Sequence, residues 1–316
     1  MREAVQTDWP DLSTEAIQPT VEAMHLFSQI VGKVRMGLTP WLNHSWHVPF
    51  YLSARGLTTG WVPAGSRSLD LEFDLFREAL VTRLEDGREE AVALPGRSVA
   101  SFHEGVMQAL ARLGIAMRID ETPCEIPGAT PFPLDRDVRP FDTAAARAYW
   151  RALLRAQSVF HRFRTRFVGK SSPIHLFWGG FDLAVTRFSG RSAPPHPGGA
   201  VHMPDAVARD GYFQEVASAG FWPGVGTDLG PAFYAYAYPA PSGYAAAAVE
   251  PADARFSAEL GEFLLPYASV RGADDPDAAL MAFLQSTYDA AADLAGWDRA
   301  RLERPEGPIG HPPQGT

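Results

Sequence analysis

His44 and His47 stand three residues apart in Trp41-Leu-Asn-His-Ser-Trp-His-Val-Pro49, with Trp46 between them. In a turn or helix their imidazoles converge, whereas on a regular strand they face opposite ways. A divalent metal needs three or four ligands of suitable softness, and His44, His47, His175 and Glu215 form one candidate set drawn from distant segments. A bare His-x-x-His is weak evidence, with two packed imidazoles as the plain alternative. No other cofactor is indicated.

The densest chemistry lies in Lys170-Ser-Ser-Pro-Ile-His-Leu-Phe-Trp-Gly-Gly-Phe-Asp-Leu-Ala-Val-Thr-Arg-Phe-Ser-Gly-Arg191. His175, Asp182 and the downstream Glu215 are the candidate acid–base groups. On a regular strand Asp182, Ala184 and Thr186 share one face and Leu183, Val185 and Arg187 the other, so Asp182 and Arg187 need not meet. Lys33, Lys170, Arg187 and Arg191 are candidate anion-binding groups. Cations near helix ends also complement the macrodipole without any ligand.

A third group is aromatic. In Phe233-Tyr-Ala-Tyr-Ala-Tyr238 the tyrosines fall on one strand face and the alanines on the other. Each phenol requires a hydrogen-bond partner when buried, which favours a polar pocket wall over a dry core. Trp178, Trp222, Tyr234 and Tyr236 are therefore the candidate ligand-stacking residues. The sequence has no G-x-S-x-G elbow, P-loop, strand-following G-x-G-x-x-G or H-E-x-x-H.

The elements that must position these groups read as an α+β chain in two similar halves. Each half runs helix, antiparallel strands, helix, and the two pack into one unit with a central cleft. Val21, Met24, Phe27, Ile30, Val31 and Val34 recur at helical spacing until Gly37 and Pro40. Residues 47–56 read as a strand. Leu69, Leu71, Phe73 and Leu75 alternate with Asp70, Glu72 and Asp74, predicting a strand with one wet face. Strands 79–84 and 90–94 flank the Asp86-Gly87 turn, Ser98 caps a helix over 99–113, and a short strand is expected at 116–120.

Five prolines between Pro123 and Pro140 mark an extended connector, so residues 1–122 and 142–303 form the halves and 123–141 the link. In the second half Asp142 or Thr143 caps a long helix, strands follow from 174 to 265, and Asp275-Pro276 opens the last helix. Residues 304–316 read as a flexible tail. Val-Gly-Lys occurs at 31–33 and again at 168–170, each copy closing a helical pattern, which suggests an internal duplication.

With 37 acidic and 28 basic residues the net charge is −9, which argues against the basic face a nucleic-acid binder needs. Cys124 is the only cysteine, so neither an internal disulfide nor a Cys-based zinc site is expected. The polar N-terminus lacks a signal-peptide pattern and no apolar run reaches spanning length; a cytoplasmic protein without membrane contact follows. Oligomeric state is not readable.

Gln29-Ile-Val-Gly-Lys33, Leu38-Thr-Pro-Trp-Leu-Asn-His44, Trp46-His-Val-Pro49, Ala54-Arg-Gly-Leu-Thr-Thr59, Phe177-Trp-Gly179, Phe181-Asp-Leu-Ala-Val-Thr-Arg-Phe-Ser-Gly-Arg191 and Ser218-Ala-Gly-Phe-Trp-Pro-Gly224 together resemble the bacterial DUF5996 family. The resemblance spans about residues 9–303 and implies a full-length unit; it assigns neither an activity nor catalytic residues. On residue chemistry the leading expectation is an enzyme, with or without a metal, acting on a small polar or anionic molecule in the inter-half cleft. The alternative is a non-catalytic protein binding an aromatic or sugar-like molecule.

Overall fold

Each half contributes one antiparallel sheet, and the computed structural model describes them through residues 9–224, 229–308 and 310–311. The chain begins with helix α1 (Ile17–Leu38), where Pro19 sits in the first turn and costs no internal hydrogen bond. Six strands follow: β1 (Tyr51–Leu52), β2 (Gly56–Thr58), β3 (Val62–Ala64), β4 (Arg67–Asp74), β5 (Ala79–Leu84) and β6 (Glu89–Ala93). They pair in the order β1-β2-β4-β5-β6, with β3 also on β4. Helix α2 (Val99–Arg112) starts at a reciprocal Ser98–Ser101 cap, and α3 (Thr143–Thr165) starts where Asp142 accepts from the Ala145 amide at 2.7 Å.

The second sheet contains β7 (His175–Phe177), β8 (Asp182–Ser192), β9 (Gln214–Trp222), β10 (Ala232–Tyr238), β11 (Arg255–Ser257) and β12 (Glu262–Pro266). Its order is β11-β12-β10-β9-β8-β7, and the short α4 (Asp205–Gly211) precedes β9. Helices α5 (Tyr267–Arg271), α6 (Pro276–Leu294) and α7 (Arg299–Leu302) close the chain. The fold is α+β, and no helix among the described residues is long and apolar enough to cross a membrane.

The two sheets meet at one point. Phe50, just before β1, exchanges both backbone hydrogen bonds with Leu176 of β7 at 2.8 Å. A single hydrophobic core runs through both halves, with α1 packed on α2 and α3, and α3 on α6. Helix α1 is shared property: its apolar residues fill the first core, and its polar residues reach the second half.

Several local expectations change. The strand expected at 47–56 shrinks to β1, because the chain turns through a 3-10 segment at Asn43–Ser45 and twists again before β2. Residues 116–120 pair with no strand. The wet face of β4 is less wet than alternation implies: Asp74 is fully buried and ion-paired to Arg55 at 2.5 Å, and Glu72 to Arg83 at 2.8 Å. The two Val-Gly-Lys copies also differ. Residues 31–33 lie inside α1, whereas 168–170 follow the end of α3 in a loop. Gly32 admits the Trp178 indole, since a Cβ there would lie 2.4 Å from the ring; Gly169 instead accommodates Phe167 and Leu302. The N-terminal residues 1–8 lie outside the described residues, as do 309 and 312–316 of the expected tail; its start is anchored by Glu306 pairing with Arg162 and Arg166.

Candidate functional site

The second sheet turns one face toward a cavity of about 480 Å3, roofed by residues from α1, the 41–48 segment and the connector near Cys124. Alternation along β8, β9 and β10 builds its floor. Thr186, Ser218 and Tyr236 lie abreast in neighbouring strands, as do Ala184, Gly220 and Tyr234. Thr186 and Ser218 hydroxyls meet at 2.8 Å. Gly220 leaves room for the Tyr234 ring, whose hydroxyl donates to the Asp182 carboxyl at the start of β8. Tyr236 meets the Tyr212 hydroxyl at 2.7 Å, and Tyr238, farther out, donates to the Pro194 carbonyl at 3.1 Å. Every phenol of the stripe thus has the partner its burial demands.

Helix α1 fixes the opposite wall. Gln29 donates to the carbonyls of Cys124 and Trp178, each at 3.0 Å, and accepts from the Cys124 amide at 2.9 Å. His25 hydrogen-bonds the Gly179 carbonyl at 2.7 Å, and the Trp178 indole donates to the Val48 carbonyl at 3.1 Å. These contacts pin the connector beside the β7–β8 turn and carry Glu125, at a left-handed φ of 60°, into the cavity. Lys33, 3% exposed, reaches the same wall and pairs with Asp120 at 3.4 Å.

His175 lines the cavity at 1% exposure, with neither ring nitrogen hydrogen-bonded. Burial pushes it down to about 3, so it is neutral, with the Pro173 carbonyl as the main opposing influence. A buried polar group without a partner is costly and uncommon. His44 and His47 also line the cavity, but each has a ring nitrogen committed. His44 Nδ1 donates to the Gly211 carbonyl at 2.7 Å, and its Nε2 accepts from Lys170 Nζ at 2.5 Å. Nδ1 of His47 is 3.2 Å from both the Leu42 amide and carbonyl.

The expected metal set does not assemble. Glu215 faces away from the cavity and is paired with Arg191 at 2.7 Å, and no group of three or more His, Cys, Asp or Glu among the described residues is placed to hold an ion. Lys170 Nζ rests among Trp46, Phe188 and Phe213, behind His44. Arg187 lies on the other face of β8, as alternation requires, enclosed by Phe163, Phe167 and Tyr288 and donating to the Phe163 carbonyl. Arg191 is at the surface, and Trp222 lies beyond the cavity at the end of β9. Of the expected residues, His44, His47, His175, Trp178, Asp182, Tyr234, Tyr236 and Lys33 line one space.

Glu125 is the residue that sequence reasoning missed. It sits in a proline-rich stretch with no period to reveal its direction, and only the Gln29 clamp aims it. Its side chain keeps substantial accessible surface, although protein atoms crowd the carboxyl where it lines the cavity. Desolvation there, with the Asp182 charge second, pushes the carboxyl up to about 7. Desolvation likewise raises Asp182 to about 6, against the lowering effect of the Tyr234 hydrogen bond. Glu262, on β12 beside the site, is raised to about 7 by burial and by Asp182. The phenols of Tyr212 and Tyr234 are driven further above their ordinary range by burial and stay protonated.

A family model described as a family of unknown function (DUF5996) matches residues 9–304. The chain belongs to that family. No curated protein and no solved structure matches it.

Proposed function

From that membership, which carries no assigned activity, we propose that the protein binds a small, ring-bearing polar molecule in the cavity above the second sheet. The observation that carries this reading is the cavity itself, about 480 Å3, whose lining sets aromatic rings beside the Asp182 and Glu125 carboxyls and the hydroxyls of Thr186, Ser218 and Tyr236. A preformed wall of this kind receives a ligand at little reorganisation cost. The surrounding Trp46, Trp178, Phe177 and Tyr234 offer flat apolar surface beside ordered hydroxyls and carboxyls, the usual composition of a small-molecule site. An anionic ligand fits less well, because Lys170, Arg187 and Arg191 do not line the cavity. The acidic net charge and this concave site favour a cytoplasmic small-molecule role over nucleic-acid binding.

A second reading, an enzyme, has its own support. Glu125 and Asp182 face one cavity with carboxyls near neutrality, so one protonated and one ionised form are both accessible for acid–base work. The internal duplication stays a proposal beside these, supported by two sheets of six strands each.

The direct test is thermal-shift screening of a chemically broad small-molecule library against the wild type and a Ser218→Trp variant that fills the cavity. Compounds that stabilise only the wild type support the reading. A library that stabilises neither protein, or both equally, removes it. Turnover of a stabilising compound, lost in Glu125→Gln, would establish the catalytic version.

A further inference from the structure

Asp182 and Glu125 line one cavity, and neither is paired with a cation among the described residues. Asp182 accepts from the Tyr234 hydroxyl and forms no ion pair among the described residues. Glu125 accepts no side-chain hydrogen bond and forms no ion pair among them. Lys33 is the single Lys or Arg lining the cavity among the described residues, and it is already joined to Asp120. The remaining ionisable lining groups are Cys124, the histidines 44, 47, 175 and 202, and the tyrosines 212, 234 and 236. Burial depresses His44, His47 and His175, which keeps them neutral, and raises the Cys124 thiol. The site therefore presents two carboxyls whose charge the protein does not balance.

We propose that the cavity selects ligands bearing a protonated amine, seated between Asp182 and Glu125 and against the aromatic wall. This rests on the cavity being a ligand site, as proposed above, and adds the ligand's chemical class. A cation placed between two carboxylates relieves their mutual repulsion and gains charge-assisted hydrogen bonds from both. Trp46, Trp178 and Tyr212 line the same cavity, and aromatic rings attract cations most where water is displaced. A neutral ligand leaves the unbalanced charge in place, and an anion adds to it.

Proton linkage follows in a definite direction. Without ligand, Asp182 and Glu125 are raised to about 6 and about 7. An ammonium favours their ionised forms, so binding expels protons in that range and weakens as pH falls through it. Aliphatic amines keep their charge throughout this interval.

The test uses matched ring compounds in which only the charge changes: tryptamine, tryptophol and indole-3-acetate; phenethylamine, 2-phenylethanol and phenylacetate; glucosamine, glucose and glucuronate. Calorimetric titration is expected to give at least one ammonium member binding about tenfold or more tighter than both partners, a preference typical of a desolvated cation–carboxylate contact. In Glu125→Gln that preference falls toward unity, and Asp182→Asn does the same if it folds. Proton release, read from buffers of different ionisation enthalpy, accompanies the wild-type signal near pH 6.5 and shrinks in Glu125→Gln. Equal or tighter binding of a neutral or anionic member overturns the amine assignment and leaves the cavity reading intact. Absence of any ammonium binding also overturns it; the cavity reading falls only when the broad library gives nothing that the Ser218→Trp variant fails to bind.

Discussion

The Glu125 carboxyl occupies the space that a side chain on Gly179 would fill: a Cβ there would lie 1.8 Å from Glu125 Oε1. One residue comes from the connector and the other from the β7–β8 turn, so this close approach sets where the acid points. Gly179→Ala displaces a flexible carboxylate rather than backbone, and the expected loss of stability is small, about 1 kcal/mol or less. Ligand affinity, by contrast, drops by the same factor as in Glu125→Gln. Urea unfolding beside calorimetric titration checks both; a large stability loss with unchanged affinity would refute the arrangement.

His175 makes a converse prediction. Its buried nitrogens lack partners, so His175→Phe removes a desolvation cost, and the ligand-free protein should be equally stable or about 1 kcal/mol more stable. The ring nitrogens carry almost no accessible surface, so the same change is expected to leave ligand binding largely unaffected. Destabilisation of the free protein by more than 2 kcal/mol would mean that the imidazole is held by partners after all.

Arg187 is fully buried, with Nε and Nη1 unpaired and three aromatic rings around the guanidinium. Burial lowers it to about 10, so it remains charged at neutral pH. A buried cation satisfied chiefly by ring faces and one carbonyl is replaceable by a hydrophobe of similar length. Arg187→Met is therefore expected to lie within about 1 kcal/mol of the wild type or above it, with ligand binding unchanged. Loss of binding in a folded Arg187→Met protein would place this residue in the site, contrary to its position on the far face of β8.

Glu262 sets a pH prediction with a fixed sign. Its folded pKa, about 7, lies above its unfolded value near 4.5, so the unfolded chain holds fewer protons in the interval between them. Stability consequently falls as pH rises through that interval and levels off above about 7. Glu262→Gln removes this contribution. Melting temperature should rise relative to wild type at pH 8, with the difference vanishing near pH 4. A difference that is constant from pH 4 to pH 8 would show that Glu262 titrates normally.

What the sequence determined by itself is local and periodic. Alternation over 232–238 placed the three tyrosines on one face, the same rule separated Asp182 from Arg187, and Ser98, Asp142 and Asp275 each mark a helix start that the structure keeps. These readings succeed because side-chain direction within one element follows from covalent geometry. Direction between elements does not. Glu215 and Asp182 both begin or border a strand, yet one pairs with Arg191 at the surface and the other faces the cavity. His44 and His175 line one cavity, but the lysine of the second Val-Gly-Lys takes the His44 nitrogen that a metal would need. Glu125 had no periodic neighbour to orient it and became a site residue only because Gln29, 96 positions earlier, grips the backbone beside it. Burial and charge at the site are products of that packing, and so the carboxyl pair, unlike the tyrosine stripe, belongs to the tertiary structure alone.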